Sequence, residues 1–261
     1  MSVIEKMKKH LDTKEVKYYG IHACLAIGQH RPGDIIRMYA HSSNLAAFRS
    51  ILKKCAEDKK AYHIVSNEEL EKVSGSVHHE GVCILAKQTT PISYANISAN
   101  AFAGDQPMCL LYLDGVQNPH NVGSILRTCA HFHVKYILGR KGQLPPMSAS
   151  ACRIAKGGAE LVKLVELDHP AMFIKNLKKQ GFQLVTTSSH VKNSLYTIEL
   201  PKRVIIAMGS EDQGVSKEVE ALSSTHIQIP GSGLVESLNV SVATSLFLGE
   251  FYRQHLGSVH A

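Results

Sequence analysis

The chain has 261 residues, 44% hydrophobic and 20% charged, which is room for two modest domains or one large one and excludes a disordered polymer. No apolar run is long enough to cross a bilayer, and the lysine-rich start carries Glu5, Asp12 and Glu15 without an apolar core. Neither a secretory signal nor an acid-poor transit peptide fits, so a cytoplasmic protein is expected. The net charge of +7 is compatible with a polyanionic partner such as nucleic acid but does not by itself require one.

Residues 1–16 form a basic N-terminal segment. Residues 17–88 alternate short apolar runs with helical patterns: 35–39 and 81–86 read as strands, 45–56 and 67–73 as helices. This is a small α/β domain with no convergent catalytic constellation, suited to binding or packing. Residues 89–107 are small and polar, without sustained periodicity, and read as a linker. From 108 to 261 the alternation strengthens. Strands are expected at 108–113, 134–138, 182–187, 203–208 and 226–229, with helices at 121–132, 149–156, 171–180, 216–222 and 239–252. Such alternation predicts an open, largely parallel α/β sheet, whose ligands sit beyond the carboxyl ends of the strands. The six cysteines contain no CxxC pair, so neither disulfides nor zinc are expected. The fifteen histidines, His78/His79 and His131/His133 among them, match no common ligand spacing, and no metal is expected.

Three strand-end loops carry the chemistry. In the first, Asn121 is a good helix N-cap, Gly123 costs the first turn about 1 kcal/mol against Ala, and Arg127 follows four residues on. An arginine above a bare stretch of backbone suits a phosphate or alkoxide clamp, although a lone helical arginine is more often a solvated one. In the second, an apolar strand runs straight into Gly209, Ser210, Glu211 and Gly214, where glycines permit close approach of a ligand. Glu211 could cap the next helix or balance Arg127; an orienting role suits it better than general-base chemistry. In the third, Gly231-Ser232-Gly233 suggests a dinucleotide loop, but position 236 is Glu236 where the third glycine is needed, which disfavours an oxidoreductase. Asn239 is a good N-cap for the last helix, which is lined by Ser241, Ala243, Thr244, Ser245 and Gly249. That small-residue face suits close packing against backbone or another chain.

Read as N-x-G-x-x-x-R (Asn121, Gly123, Arg127), G-x-E-x-x-G (Gly209, Glu211, Gly214) and I-P-x-x-G-x-x-x-S-L-N-V-S-x-A (Ile229 to Ala243), these segments resemble the signature motifs of the SpoU (TrmH-like) RNA ribose 2′-O-methyltransferases of the SPOUT class. They occur in order over roughly the last 150 residues. More loosely, residues 19–23 and 79–82 resemble the ends of the L30e-like RNA substrate-binding domain found ahead of this core. The resemblance implies a C-terminal parallel sheet with a deep trefoil knot, formed by residues 108–261, after an L30e-like domain at 17–88. It implies S-adenosyl-L-methionine as cofactor, held near Thr187, Gly209, Ile229 and Leu238. Arg127, Asn121, Glu211, Ser237 and Asn239 become the catalytic and nucleotide-positioning set. A homodimer through the C-terminal domain is implied, as is an RNA substrate, ribosomal RNA favoured over transfer RNA because of the N-terminal module. The alternative is a catalytically inactive RNA-binding protein that retains the fold.

Overall fold

The computed structural model describes residues 14–188, 191 and 193–257, so most of the expected basic N-terminal segment lies outside the described residues. The chain divides into two compact units, one of residues 1–90 and 147–160, the other of 91–146 and 161–261.

In the first unit β1 (Glu15–Tyr19) leads through Gly20 into α1 (Ile21–His30), which buries Ala23, Cys24 and Ile27. β2 (Ile35–Ala40), α2 (Arg49–Glu57), β3 (Ala61–Ile64), α3 (Asn67–Ser74) and β4 (Val82–Lys87) follow. Sequence chemistry fixes α3 at both ends. Ser66 and Glu69 form a reciprocal capping box at its start, and Gly75 closes it in the left-handed region at φ 71°. The sheet order is β1-β4-β2-β3, with β4 antiparallel to both neighbours and β2 parallel to β3. Gly28 of α1 lies so close to Ile51 of α2 that a β-carbon there would collide with the isoleucine side chain. Two strands, β1 and β3, are not among those expected from the sequence. β1 and β3 are short, and β3 is exposed at all four residues, so neither shows a buried apolar run.

The second unit is built on a seven-stranded sheet made from β5 (Ile92–Ser93), β6 (Met108–Asp114), β7 (Tyr136–Arg140), β8 (Lys163–Leu167), β9 (Gln183–Thr187), β10 (Arg203–Gly209) and β11 (Thr225–Ile227). Its order is β11-β9-β10-β6-β7-β8-β5, and every pairing is parallel. The helices of this part of the chain are α4 (Pro119–His131), α5 (Ala149–Ala155), α6 (Gly158–Leu161), α7 (Pro170–Lys179), α8 (Lys217–Glu220) and α9 (Val240–His255). β6 and β10 are apolar on both faces, as parallel strands covered on both sides must be. On one face Leu110, Tyr112, Leu138, Ile205 and Ala207 pack with Phe173, Ile174 and Leu177 of α7 and Val219 of α8. α9 packs against α4 and β10.

Two expectations of organisation need correction. Residues 89–107 are not a free linker: Ile92 and Ser93 pair with β8, and Phe102 is buried edge-on against Tyr136 and Phe173. The Arg203 guanidinium donates to the carbonyls of Phe102 and Gly104, fastening the segment to the base of β10. The apolar residues that anchor it are irregularly spaced, so no periodicity announces them. Residues 147–160, expected within the catalytic core, belong to the first unit. There α5 packs on α1 and β1, and Glu160 accepts a hydrogen bond from Arg31 Nε at 2.8 Å. A helical pattern reports that a face is apolar, not which sheet it covers.

Candidate active site

The strand order of the seven-stranded sheet reverses between β6 and β10, so the loops leaving their carboxyl ends part there and open a crevice. Asp114 and Gly209 are register partners at that point. Asp114 is nearly buried; its carboxylate accepts from the Ser216 amide at 2.8 Å, and its carbonyl accepts from the Ser210 amide at 3.0 Å. Between those contacts residues 210–214 fold into a tight turn, with the Gly214 amide donating to the Ser210 carbonyl at 2.9 Å and Gly214 at φ +66°. A β-carbon on Gly209 would run into the backbone of Gly214 and Val215. Glycine here serves the turn, which holds Glu211 out from the sheet.

Glu211 meets the starts of two helices. The N-cap of α4 is Asn118, whose side chain accepts from the His120 amide at 2.9 Å, and Pro119 follows at the first helical position. Asn121, expected as that cap, is the third residue of the helix and is free to point elsewhere: its Nδ2 donates to Glu211 Oε1 at 3.1 Å. The difference arises because Pro119 has no amide to satisfy, which lets the cap fall three residues earlier, nearly a full turn. Asn239 does cap α9, accepting from the Ser241 amide at 2.9 Å, and its Nδ2 reaches both Glu211 Oε1 at 2.8 Å and Asn121 Oδ1 at 3.0 Å. The Val240 amide adds a longer contact of 3.5 Å to the same Glu211 oxygen. The carboxylate therefore sits at the positive end of a 16-residue helix, held by two side-chain amides. Its other oxygen, Oε2, has no partner among the described residues.

Arg127 stands apart. It is exposed on α4 and forms no ion pair among the described residues, so Glu211 does not balance it. At 3.6 residues per turn, the six positions from Asn121 to Arg127 leave them about 120° apart around the helix. Within one chain, Arg127 and the Asn121–Glu211–Asn239 cluster face different directions. Ser237 is exposed in the irregular, bent segment 230–239, where Leu234 is 90% and Leu238 47% exposed, a costly display of apolar surface to water.

The expected cofactor residues lie along one edge. Thr187 ends β9, Gly209 ends β10 and Ile229 stands two residues beyond β11, three strands that are neighbours in the sheet. Thr187 donates from its hydroxyl to the Ala207 carbonyl at 3.1 Å, tying β9 to β10 at that edge. The Ile229 amide meets no hydrogen-bond partner among the described residues, and Leu238 offers apolar surface. A free amide and apolar surface at one edge fit a nucleoside ligand. Among the described residues no three His, Cys, Asp or Glu side chains are grouped to hold a metal, and no helix is long and apolar enough to cross a membrane.

The sequence reading missed the recess beside this turn. A cavity of about 440 Å³ is lined by Asp114, Arg140, Gln143, Ser210, Gln213 and Lys217, among others. Its signal was Asp114, a carboxylate closing an otherwise apolar strand.

Comparison with known proteins agrees in both parts of the chain. Residues 108–249 match the model of the SpoU rRNA methylase family, and residues 18–91 match that of the RNA 2′-O ribose methyltransferase substrate-binding domain. An uncharacterized tRNA/rRNA methyltransferase, YfiF, of Escherichia coli O157:H7 is 36% identical over 242 residues, covering 93% of this chain and 69% of its own. The 23S rRNA (guanosine-2′-O-)-methyltransferase RlmB of Vibrio parahaemolyticus is 30% identical over 244 residues, covering 92% of this chain and 97% of its own. In fold, the chain resembles an rRNA methyltransferase of Sinorhizobium meliloti, with TM-score 0.75 at 20% identity over 95% of this chain and 90% of the other. It also resembles the SpoU methyltransferase AviRb of Streptomyces viridochromogenes, solved with AdoMet, with TM-score 0.70 at 14% identity over 97% and 94%.

Proposed function

Because the chain belongs to the SpoU family and is an S-adenosylmethionine-dependent RNA ribose 2′-O-methyltransferase, we propose that its substrate is folded ribosomal RNA. The support is the pairing of a methylase core with a substrate-binding module, shared over nearly the whole length of a relative named for 23S rRNA. A module of this kind suits a structured element recognised by shape and by unpaired bases.

S-adenosylmethionine supplies a methyl group on a sulfonium, electrophilic enough to be taken by a ribose oxygen. The chain must orient that oxygen and stabilise its charge as its proton passes to solvent water, the demethylated cofactor leaving as a neutral thioether. Thr187, Gly209, Ile229 and Leu238 hold the cofactor at the β9–β10–β11 edge. Arg127 presents a planar cationic fork, which stabilises the developing alkoxide and grips a neighbouring phosphate. Glu211, fixed by Asn121 and Asn239, sets the positions of both helix starts, and Ser237 with Asn239 helps seat the nucleotide. The 120° between Arg127 and this cluster supports a site completed by the arginine of a second copy. The exposed Leu234, Val235 and Val242 support a homodimer through the C-terminal core, where the family's trefoil knot is also expected.

Maps of 2′-O-methylation in total RNA, with and without the gene, test the substrate. One mark lost from ribosomal RNA is expected; a loss confined to transfer RNA overturns the assignment. Arg127→Ala should abolish transfer of a labelled methyl group while cofactor affinity, read by calorimetry, stays nearly unchanged. Arg127→Lys keeps charge but loses the planar fork and should also be severely impaired. An active monomer in light scattering at assay concentration would refute the shared site.

A further inference from the structure

One row of side chains on the sheet of the first unit runs from the core out to an aromatic pair at the exposed edge. Register places Tyr19, Cys83, Tyr39 and His63 side by side across β1, β4, β2 and β3, and Lys17, Leu85, Arg37 and Ala61 in the next row. Cys83 is buried, but the row opens to solvent toward β3, where Tyr39 is half-buried and His63 exposed. Tyr39 and His63 stack with centroids 5.3 Å apart and planes inclined by 24°. Arg37 donates from Nη1 to the Tyr39 hydroxyl at 3.3 Å, standing exposed beside the stack. β3 is the edge strand, so no further strand among the described residues follows His63, which is exposed. Among the described strand residues of this face three cations, Lys17, Arg37 and Lys87, stand against one carboxylate, Glu15.

We propose that this face binds single-stranded RNA, with an unpaired base stacking on the outer face of His63 and the backbone running past Arg37 and Lys17. The proposal rests on the reading of the chain as an RNA enzyme for its class of partner. Its physical basis is independent of the reaction. A histidine or tyrosine ring offers a flat face to any base, and neighbouring guanidinium and ammonium groups neutralise the phosphates that flank it. A stack of two rings already formed on the sheet loses little freedom when a base extends it to three.

The opposite side of the same strand supplies a control. Tyr62 pairs in register with Met38, so it points to the other face of the sheet, where it lines an apolar groove with Leu45, Leu52 and Ile64. The test is fluorescence anisotropy of the full chain with a labelled single-stranded oligoadenylate of about 12 nucleotides, a length within the usual span of one such surface. His63→Ala should weaken binding about ten-fold, while Tyr62→Ala should leave it unchanged. Lys17→Ala and Arg37→Ala should each flatten the dependence of log affinity on log salt by about 0.7. Equal affinity for wild type and His63→Ala, equal losses in His63→Ala and Tyr62→Ala, or no binding by wild type, would each overturn the proposal. Transfer of labelled methyl to RNA is measured in parallel. Transfer with no effect of His63→Ala on oligonucleotide binding sinks this face and keeps the enzyme; a ten-fold loss without any transfer keeps the face and sinks the enzyme.

Discussion

Asn239 performs two tasks with the two ends of one amide. Its oxygen caps α9, and its nitrogen bonds Glu211 and Asn121. Substitution can separate them. Asn239→Ala removes both and should cost about 1 kcal/mol for the lost cap, a fall of about 2–4 °C in the thermal midpoint for a chain of this size. Asn239→Asp keeps the cap but sets a second carboxylate against Glu211 where a donor stood. Its melting point should lie closer to wild type than that of the alanine variant, while methyl transfer falls by about ten-fold or more, the scale of hydrogen bonds to a charged group. If the aspartate variant is fully active, the amide acts only as a cap and Glu211 needs no donor from it.

At the scale of elements, glycines in the catalytic loops differ in what they do. Gly209→Ala forces a methyl group into the backbone of the 210–214 turn, so it should lower stability and cofactor affinity together, by about 2 kcal/mol or more in unfolding. Gly231→Ala meets nothing within 4 Å and should melt as wild type. A wild-type melting curve for Gly209→Ala would show that the turn opens readily. The sheets also set the behaviour of the thiols. Burial pushes Cys83 in β4 and Cys152 in α5 up to about 12 from an ordinary 9.0. Both should resist alkylation at pH 8 in the native protein and react once it is unfolded in urea. Because the unfolded thiols ionise first, their contribution to stability is complete below pH 9 and is lost as pH rises from there toward about 12. Denaturant midpoints measured across that window should fall with rising pH; a flat profile would contradict the burial of these groups.

For the whole molecule, the decisive feature is the excursion of residues 147–160 into the first unit. Arg31 donates from Nη1 to the Lys87 carbonyl at 2.7 Å and lies over the Tyr18 ring, and its ion pair with Glu160 has side-chain exposures of only 11% and 7%. Removing Glu160 takes away the closest and most buried partner of Arg31 and leaves it the partly exposed Asp34 carboxylate at 3.6 Å, so Glu160→Ala should destabilise the first unit by about 2–3 kcal/mol. A fragment ending at residue 107 lacks that carboxylate and α5 altogether. It should melt below the corresponding transition of the full chain in calorimetry, and an equal midpoint would show that the excursion adds nothing.

Much of this was determined by the sequence alone. Continuous apolar runs such as 108–113 and 203–208 identify buried parallel strands, since only strands covered on both faces can be apolar at every position. Loops rich in asparagine, glycine and a lone glutamate after such strands mark the site, because a sheet of this kind places its chemistry at carboxyl ends. Asn239 could be named as a cap from its place ahead of the last helix, whereas the catalytic and cofactor roles of the motif residues were implied only by the family resemblance. Only the tertiary structure decided which side chains meet. Asn121 and Glu211 are 90 residues apart and bond because β6 and β10 are neighbours in register, a pairing that no local pattern encodes. Phe102 and Arg203 turn an apparent linker into part of a core through contacts 101 residues apart. α5 leaves its own unit for the same reason: hydrophobic periodicity states that a face must be buried, and the choice of surface that buries it belongs to the folded chain.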